Sequence, residues 1–285
     1  MMPTTDMDGR RKEISNLMQD IKEFLKNGFK GEIQEPLQLI KYYWEVSRRA
    51  DQLIRLTLGE NGRLPVDIEL LAQKLGARVV VEDLNEFPGW KSMNRRIGQV
   101  EIGNSFFTDE KMRTIFVDKK ASFHSKRYAI AHEIAHYIMH YNDRDYYEDY
   151  FIMPMCPKEL DEIVADIFAI FLLIPVRYFF VEFLEYVKRK MDEGGEPIAT
   201  EQWIRYLAEK SVISDYYVAY GYQQLRYVAY WIYLAWHGDD DKEIFNCNDD
   251  TDSETRKKMS DEDREQVRRE TEDYYTEEMG DWLFE

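Results

Sequence analysis

Cysteine is scarce in this sequence: Cys156 and Cys247 are the two in 285 residues, far apart and with no Cys-x-x-Cys pair. That excludes a disulfide framework and a thiolate metal site, and a reducing compartment fits. A basic excess is missing as well. Lysine and arginine number 38 against 55 aspartates and glutamates, for a net charge of −17, so the composition does not supply the surface that direct nucleic-acid binding needs. Long apolar runs are lacking too. The longest candidate, Tyr227 to Trp236, has ten residues where a bilayer span needs roughly 20, and Met1 to Arg11 has no apolar core of a secretion signal. The expectation is a cytoplasmic protein that binds neither membrane nor nucleic acid.

What is present suffices for a core, with 44% hydrophobic and 14% aromatic residues. The acidity is local. Residues 238–285 carry 19 acidic and 7 basic side chains, a net −12, which leaves −5 for the other 237 residues. That segment has few aliphatics before Trp282-Leu283-Phe284 and reads as a solvated, flexible tail or a single exposed helix.

Helical spacing of apolar residues over Ile14 to Gly28 and Leu37 to Leu58, with Pro36 between, predicts a helical N-terminal arm. Leu64-Pro65-Val66-Asp67 opens a short helix closed by Gly76. Strand signals follow at Ala77 to Val81, Ile97 to Ile102 and Thr114 to Val117, each rich in β-branched residues. They predict a small, mostly antiparallel sheet. From His124 to about Tyr141 the period becomes helical and strongly apolar, and a second apolar helix is expected from Leu160 to Ile174, stopped by Pro175. Further helices are expected at Tyr178 to Met191, Gln202 to Lys210 and an aromatic stretch from Asp215 to Trp236.

The first apolar helix contains His132-Glu133-Ile134-Ala135-His136. Residues four apart on an α-helix differ by about 40° in angle and about 6 Å in height, so His132 and His136 project from one face toward a common point. Glu133 points beside that point, where a general base for a metal-bound water must sit. Zinc lowers the pKa of such a water to about 7. With five histidines in the chain, chance produces this pattern with odds of roughly 1 in 100.

A catalytic zinc needs three protein ligands and one open position. The second apolar helix offers Glu162, with Asp166 four residues on and on the same face, while Ala165 and Ala169 are small enough for close helix approach. Glu162 would complete a His, His, Glu set. Asp166 is placed to accept the remaining ring N–H of a ligating histidine. His140 is the other candidate third ligand, but one further turn carries it about 6 Å along the axis, which favours a packing role. His124, His237, Tyr128, Tyr137 and Tyr141 read as ordinary core or rim residues, although one tyrosine or histidine is expected to stabilise the oxyanion.

With these residues in place, the stretch from about Leu64 to Pro175, two-fifths of the chain, resembles the ImmA/IrrE family of zinc metallo-endopeptidases. Pro65 to Ala72 with Leu75-Gly76 looks like the lead-in helix of that family. Arg127 to His136 is similar to its metal helix, and Ala165-Asp166-Ile167-Phe168-Ala169 with Leu172 to Pro175 looks like its third-ligand helix. The sequence departs from the pattern at Ala135, where members usually carry glycine, and at Val164, where a second glutamate is common. The resemblance implies zinc ligation by His132, His136 and Glu162, with Glu133 as the base.

The fold expected is α+β, mostly helical and gluzincin-like: a small antiparallel sheet packed on the metal helix and the second ligand helix, with extra helices at both ends. The domains expected are residues 1–62 as the N-terminal arm, 63–190 as the metallopeptidase domain, 191–237 as a helical extension and 238–285 as the tail. The function expected is zinc-dependent endopeptidase activity, one Zn2+ per chain, on a protein substrate. The resemblance implies a helix-turn-helix transcriptional repressor as that substrate, cut as a regulatory switch. The alternative is a non-catalytic zinc protein that sequesters a repressor or toxin-type partner.

Overall fold

The computed structural model describes residues 4–28, 36–59, 64–83, 105–108, 114–139, 159–179, 200–237 and 259–272, with residues 181, 182, 186 and 189. Two long helices begin the chain, α1 (Thr4–Gly28) and α2 (Pro36–Leu58), followed by the short α3 (Ile68–Lys74). The strands β1 (Arg78–Glu82), β2 (Ser105–Thr108) and β3 (Thr114–Asp118) come next. Then come α4 (Phe123–Met139), α5 (Glu159–Leu173), α6 (Thr200–Ser211), α7 (Asp215–His237) and α8 (Asp261–Thr271). Among the described residues no helix is long and apolar enough to cross a membrane.

The local chemistry explains where the central elements start and stop. Asp67 caps α3 by accepting the Leu70 N–H at 3.0 Å, and Gly76, at φ 92°, supplies the left-handed residue that ends it. Ser122 caps α4: its hydroxyl accepts the Ser125 N–H at 3.1 Å. Pro175 follows the last turn of α5, where it cannot continue the hydrogen-bond ladder.

The sheet has the order β1-β3-β2. β2 and β3 are antiparallel, with Phe106 opposite Phe116, but β1 and β3 are parallel, with Val79 opposite Ile115. The expected antiparallel sheet is therefore corrected to a mixed one. Composition marks β-branched runs but not their partners. The 31 residues between Glu82 and Thr114 are ample for the crossover that parallel pairing requires. The strand expected at Ile97 to Ile102 lies outside the described residues, and β2 falls a few residues beyond it.

One contiguous core joins these layers. Ile115 and Val117 of β3 are fully buried beside α4, and α4 packs along α5 through Ala131, Ala135, Ala165 and Ala169, none of which is exposed. Methyl side chains at all four positions let the two backbones approach closely, which is how ligands on separate helices reach one point. α2 covers the other side of α5 and packs on α7. The expected N-terminal arm thus contributes Val46, Ala50, Leu53 and Ile54 to the same core.

Residues 261–271, in the stretch read as a flexible tail, form a docked helix. The reason is a few residues hidden by the charge. Val267 and Thr271 are buried, and Arg264 and Arg268 donate to the carbonyls of Leu234 and Ala235 at 2.5 and 2.6 Å, satisfying the last turn of α7. Trp236 Nε1 donates to Thr271 Oγ1 at 2.9 Å. Two acidic side chains of this docked helix face α2: Asp263 meets Lys41 Nζ at 2.6 Å, and Glu270 lies 3.5 Å from Arg48 Nε.

Candidate metal centre

His132 and His136 stand one turn apart in the middle of α4, with their Nε2 atoms 3.0 Å from each other. Glu162, in the first turn of α5, spans both. One carboxylate oxygen lies 3.2 Å from His132 Nε2 and the other lies 3.1 Å from His136 Nε2. The three side chains therefore present ligand atoms at the corners of a small triangle. Bonds of about 2.0 Å in tetrahedral geometry separate neighbouring ligands by about 3.3 Å; the two Nε2 atoms, 3.0 Å apart, fall just inside that value, and one ligand atom from each of the three residues lies within 4.8 Å of the others. Two imidazoles and a carboxylate are also the donor set of a hydrolytic zinc site. The residues present fit the ion, and this cluster can hold a metal.

Burial sets the direction of access. His136 and Glu133 are buried, at 8% and 7% exposure, whereas the Glu162 side chain is 40% exposed. The centre therefore meets solvent on the α5 side. Glu133, next to His132 along α4, lies within a protein wall, and its charge helps hold a proton on His132.

Asp166 occupies the position expected of it. Its Oδ1 lies 2.8 Å from His132 Nδ1, so in the neutral ring the proton sits on Nδ1 and the Nε2 lone pair faces the other two ligands. Burial disfavours the charged His132 ring, but the hydrogen bonds to Asp166 and Glu162 outweigh it and push its pKa up to about 10 in the metal-free protein. Glu162 moves the opposite way. Burial would raise its pKa, but its hydrogen bonds to both histidines hold it well below the usual carboxylate range. A site that draws a proton between its ligands is one that a dication can enter by displacing that proton.

One participant was not recognised as such from the sequence. Tyr128, read as a core or rim residue, donates from its hydroxyl to Asp166 Oδ1 at 2.7 Å. Its ring stacks on Tyr217 of α7, with centroids 3.7 Å apart and planes at 8°. The available signal was its position four residues before His132, which places both on one face of the helix. His124 is exposed near the start of α4, with its ring edge-on to Phe123. His140 lies outside the described residues.

Arg127, at the next position, serves the scaffold. It is buried and donates to the carbonyls of Val66 and Ser211 at 2.7 and 3.3 Å. It thereby ties α4 to the chain before α3 and to the end of α6.

Residues 72–200 match the family model of the IrrE N-terminal-like domain, a peptidase family. The match agrees with the ImmA/IrrE resemblance, and its bounds include His132, Glu133, His136 and Glu162. No curated protein matches the chain significantly. α1, α2, α7 and α8 lie outside the matched residues.

Proposed function

We propose that this protein is a zinc-dependent endopeptidase that makes a regulatory cut in another protein, with a helix-turn-helix repressor as its substrate. The observation that carries the reading is the triangle of His132 Nε2, His136 Nε2 and Glu162, with Glu133 next along the same helix. The family match supports peptide hydrolysis as the chemistry.

In this reading His132, His136 and Glu162 hold the ion. Bound zinc supplies a Lewis acid for the scissile carbonyl and acidifies a water. Glu133 takes a proton from the attacking water on its carboxylate and passes it to the departing amine nitrogen, so one residue serves as base and then acid. Its burial keeps competing bulk water away from that transfer. Asp166 holds His132 in the tautomer that leaves Nε2 free for the ion. The exposed side of Glu162 is where a peptide approaches, and an extended segment suits a site set beside a sheet.

The test incubates the protein with a candidate helix-turn-helix repressor, with and without a chelator. Cleavage should stop when the metal is removed. Glu133→Gln should retain one zinc yet lose cleavage by about 10²- to 10⁴-fold. A fully active Glu133→Gln protein, or cleavage indifferent to the chelator, would overturn the reading.

A further inference from the structure

Asp166 accepts more than a histidine. Its Oδ1 takes both the His132 Nδ1–H at 2.8 Å and the Tyr128 hydroxyl at 2.7 Å. Two donors from one helix converge on one side chain of another. Tyr128 is held in turn by its stack on Tyr217 of α7, so a third helix bears on the carboxylate that orients His132.

We propose that Tyr128 is a positioning residue for the metal centre. It fixes the carboxylate of Asp166 against His132, and its stack on Tyr217 makes α7, a helix beyond the matched segment, a working part of the site. The inference rests on the metal-centre reading given above.

The physical case starts with what Asp166 would do unaided. It is 27% exposed, and a carboxylate with one partner can rotate about its last bond and exchange its second lone pair with water. The Tyr128 phenol removes that freedom. It also withdraws charge from the oxygen facing His132, which moderates how strongly the carboxylate pulls the ring proton. Both effects act on the basicity and aim of Nε2, the atom offered to the ion.

The phenol is suited to this. Burial, then the charge of Asp166, raises the Tyr128 pKa, so it stays a donor where an ordinary phenol begins to ionise. The plain structural alternative is that Asp166 merely satisfies a buried Tyr128 hydroxyl, and the two readings differ in what loss of that hydroxyl does to the metal.

The experiment compares the wild type with Tyr128→Phe and Asp166→Ala. Zinc affinity is read by competition with a chromophoric chelator, Co2+ as a probe reports ligand geometry through its visible absorption bands, and thermal unfolding of the metal-free proteins reports the scaffold. Phenylalanine keeps the ring and removes only the hydroxyl. Tyr128→Phe should weaken zinc binding about tenfold, and Asp166→Ala about tenfold or more, the usual range when a partner of a metal-ligating histidine is lost. Tyr128→Phe should also alter the Co2+ bands, an outcome that a purely structural tyrosine would not give. In the Asp166→Ala background, Tyr128→Phe should have no further effect on affinity.

Wild-type zinc affinity and Co2+ spectra in Tyr128→Phe would overturn the inference. So would a Tyr128→Phe effect that persists undiminished without Asp166. A wild type that binds neither ion would instead defeat the metal-centre reading and this inference with it, so the two failures look different.

Discussion

The Nε2 atoms of His132 and His136 lie 3.0 Å apart, a separation at which two protonated rings would repel. Glu162 faces both, and its contact with His132 gives the centre a pH signature.

His132 is raised from its ordinary value near 6.5 to about 10. Its contribution to the stability of the metal-free protein is thus complete below about pH 6.5 and is lost as pH rises toward 10. Glu162 is lowered from 4.5, so its contribution is present above about 4.5 and is lost as pH falls below that value. The metal-free protein should gain most from this pair between about pH 4.5 and 6.5. Zinc must displace the His132 proton, so its affinity should rise with pH over the range where the metal-free stability falls. The gap in melting temperature between zinc-loaded and chelator-treated protein should therefore widen from pH 6 to pH 9. A gap independent of pH would contradict the proton accounting.

Gly221 of α7 tests the contact that sets the height of Tyr217 over the site. A Cβ added there would lie 2.6 to 2.8 Å from three side-chain atoms of Ile170 on α5, and Ile170 is buried with nowhere to move. Gly221→Ala should destabilise by about 1–3 kcal/mol through overpacking, although alanine is the better helix former by about 1 kcal/mol. Gly9→Ala in α1 meets nothing within 4 Å and should stabilise by about 0.5–1 kcal/mol. Urea unfolding of the two variants reads both signs, and equal shifts in the same direction would refute the packing argument.

Truncation after His237 removes α8. It exposes the surface beneath Val267 and leaves the carbonyls of Leu234 and Ala235 without their arginine donors. We expect a loss of at least about 2 kcal/mol in denaturant unfolding, and most of it should persist at 1 M salt because burial and backbone hydrogen bonds are involved. Full retention of stability would show that the docked helix is dispensable.

How much of this was legible in the sequence depends on whether the signal was local. The two metal-bearing helices, the opening of α3 at Asp67 and the Pro175 stop are written in contiguous residues, and α4 and α5 fall within two residues of the expected bounds. Glu162 and Asp166 were legible because a four-residue spacing on an apolar helix puts carboxylates on one face. Sheet pairing was not, since nothing within Arg78 to Glu82 names Thr114 to Asp118 as its parallel neighbour. The docking of Asp261 to Thr271 was masked by its charge: Val267 and Thr271 are the only hints of an inner face amid acids and arginines. Tyr128 was seen but given no task, because its partner is 38 residues away and α7 had to be in place before Tyr217 could be set beside it.

The most direct test is the metal content of the purified full-length chain, measured by native mass spectrometry alongside His132→Ala and Glu162→Ala. The account predicts one zinc per wild-type chain, lost from both variants at micromolar free zinc while each remains folded. A wild type without stoichiometric metal, or a Glu162→Ala protein that holds zinc as tightly as the wild type, would contradict it.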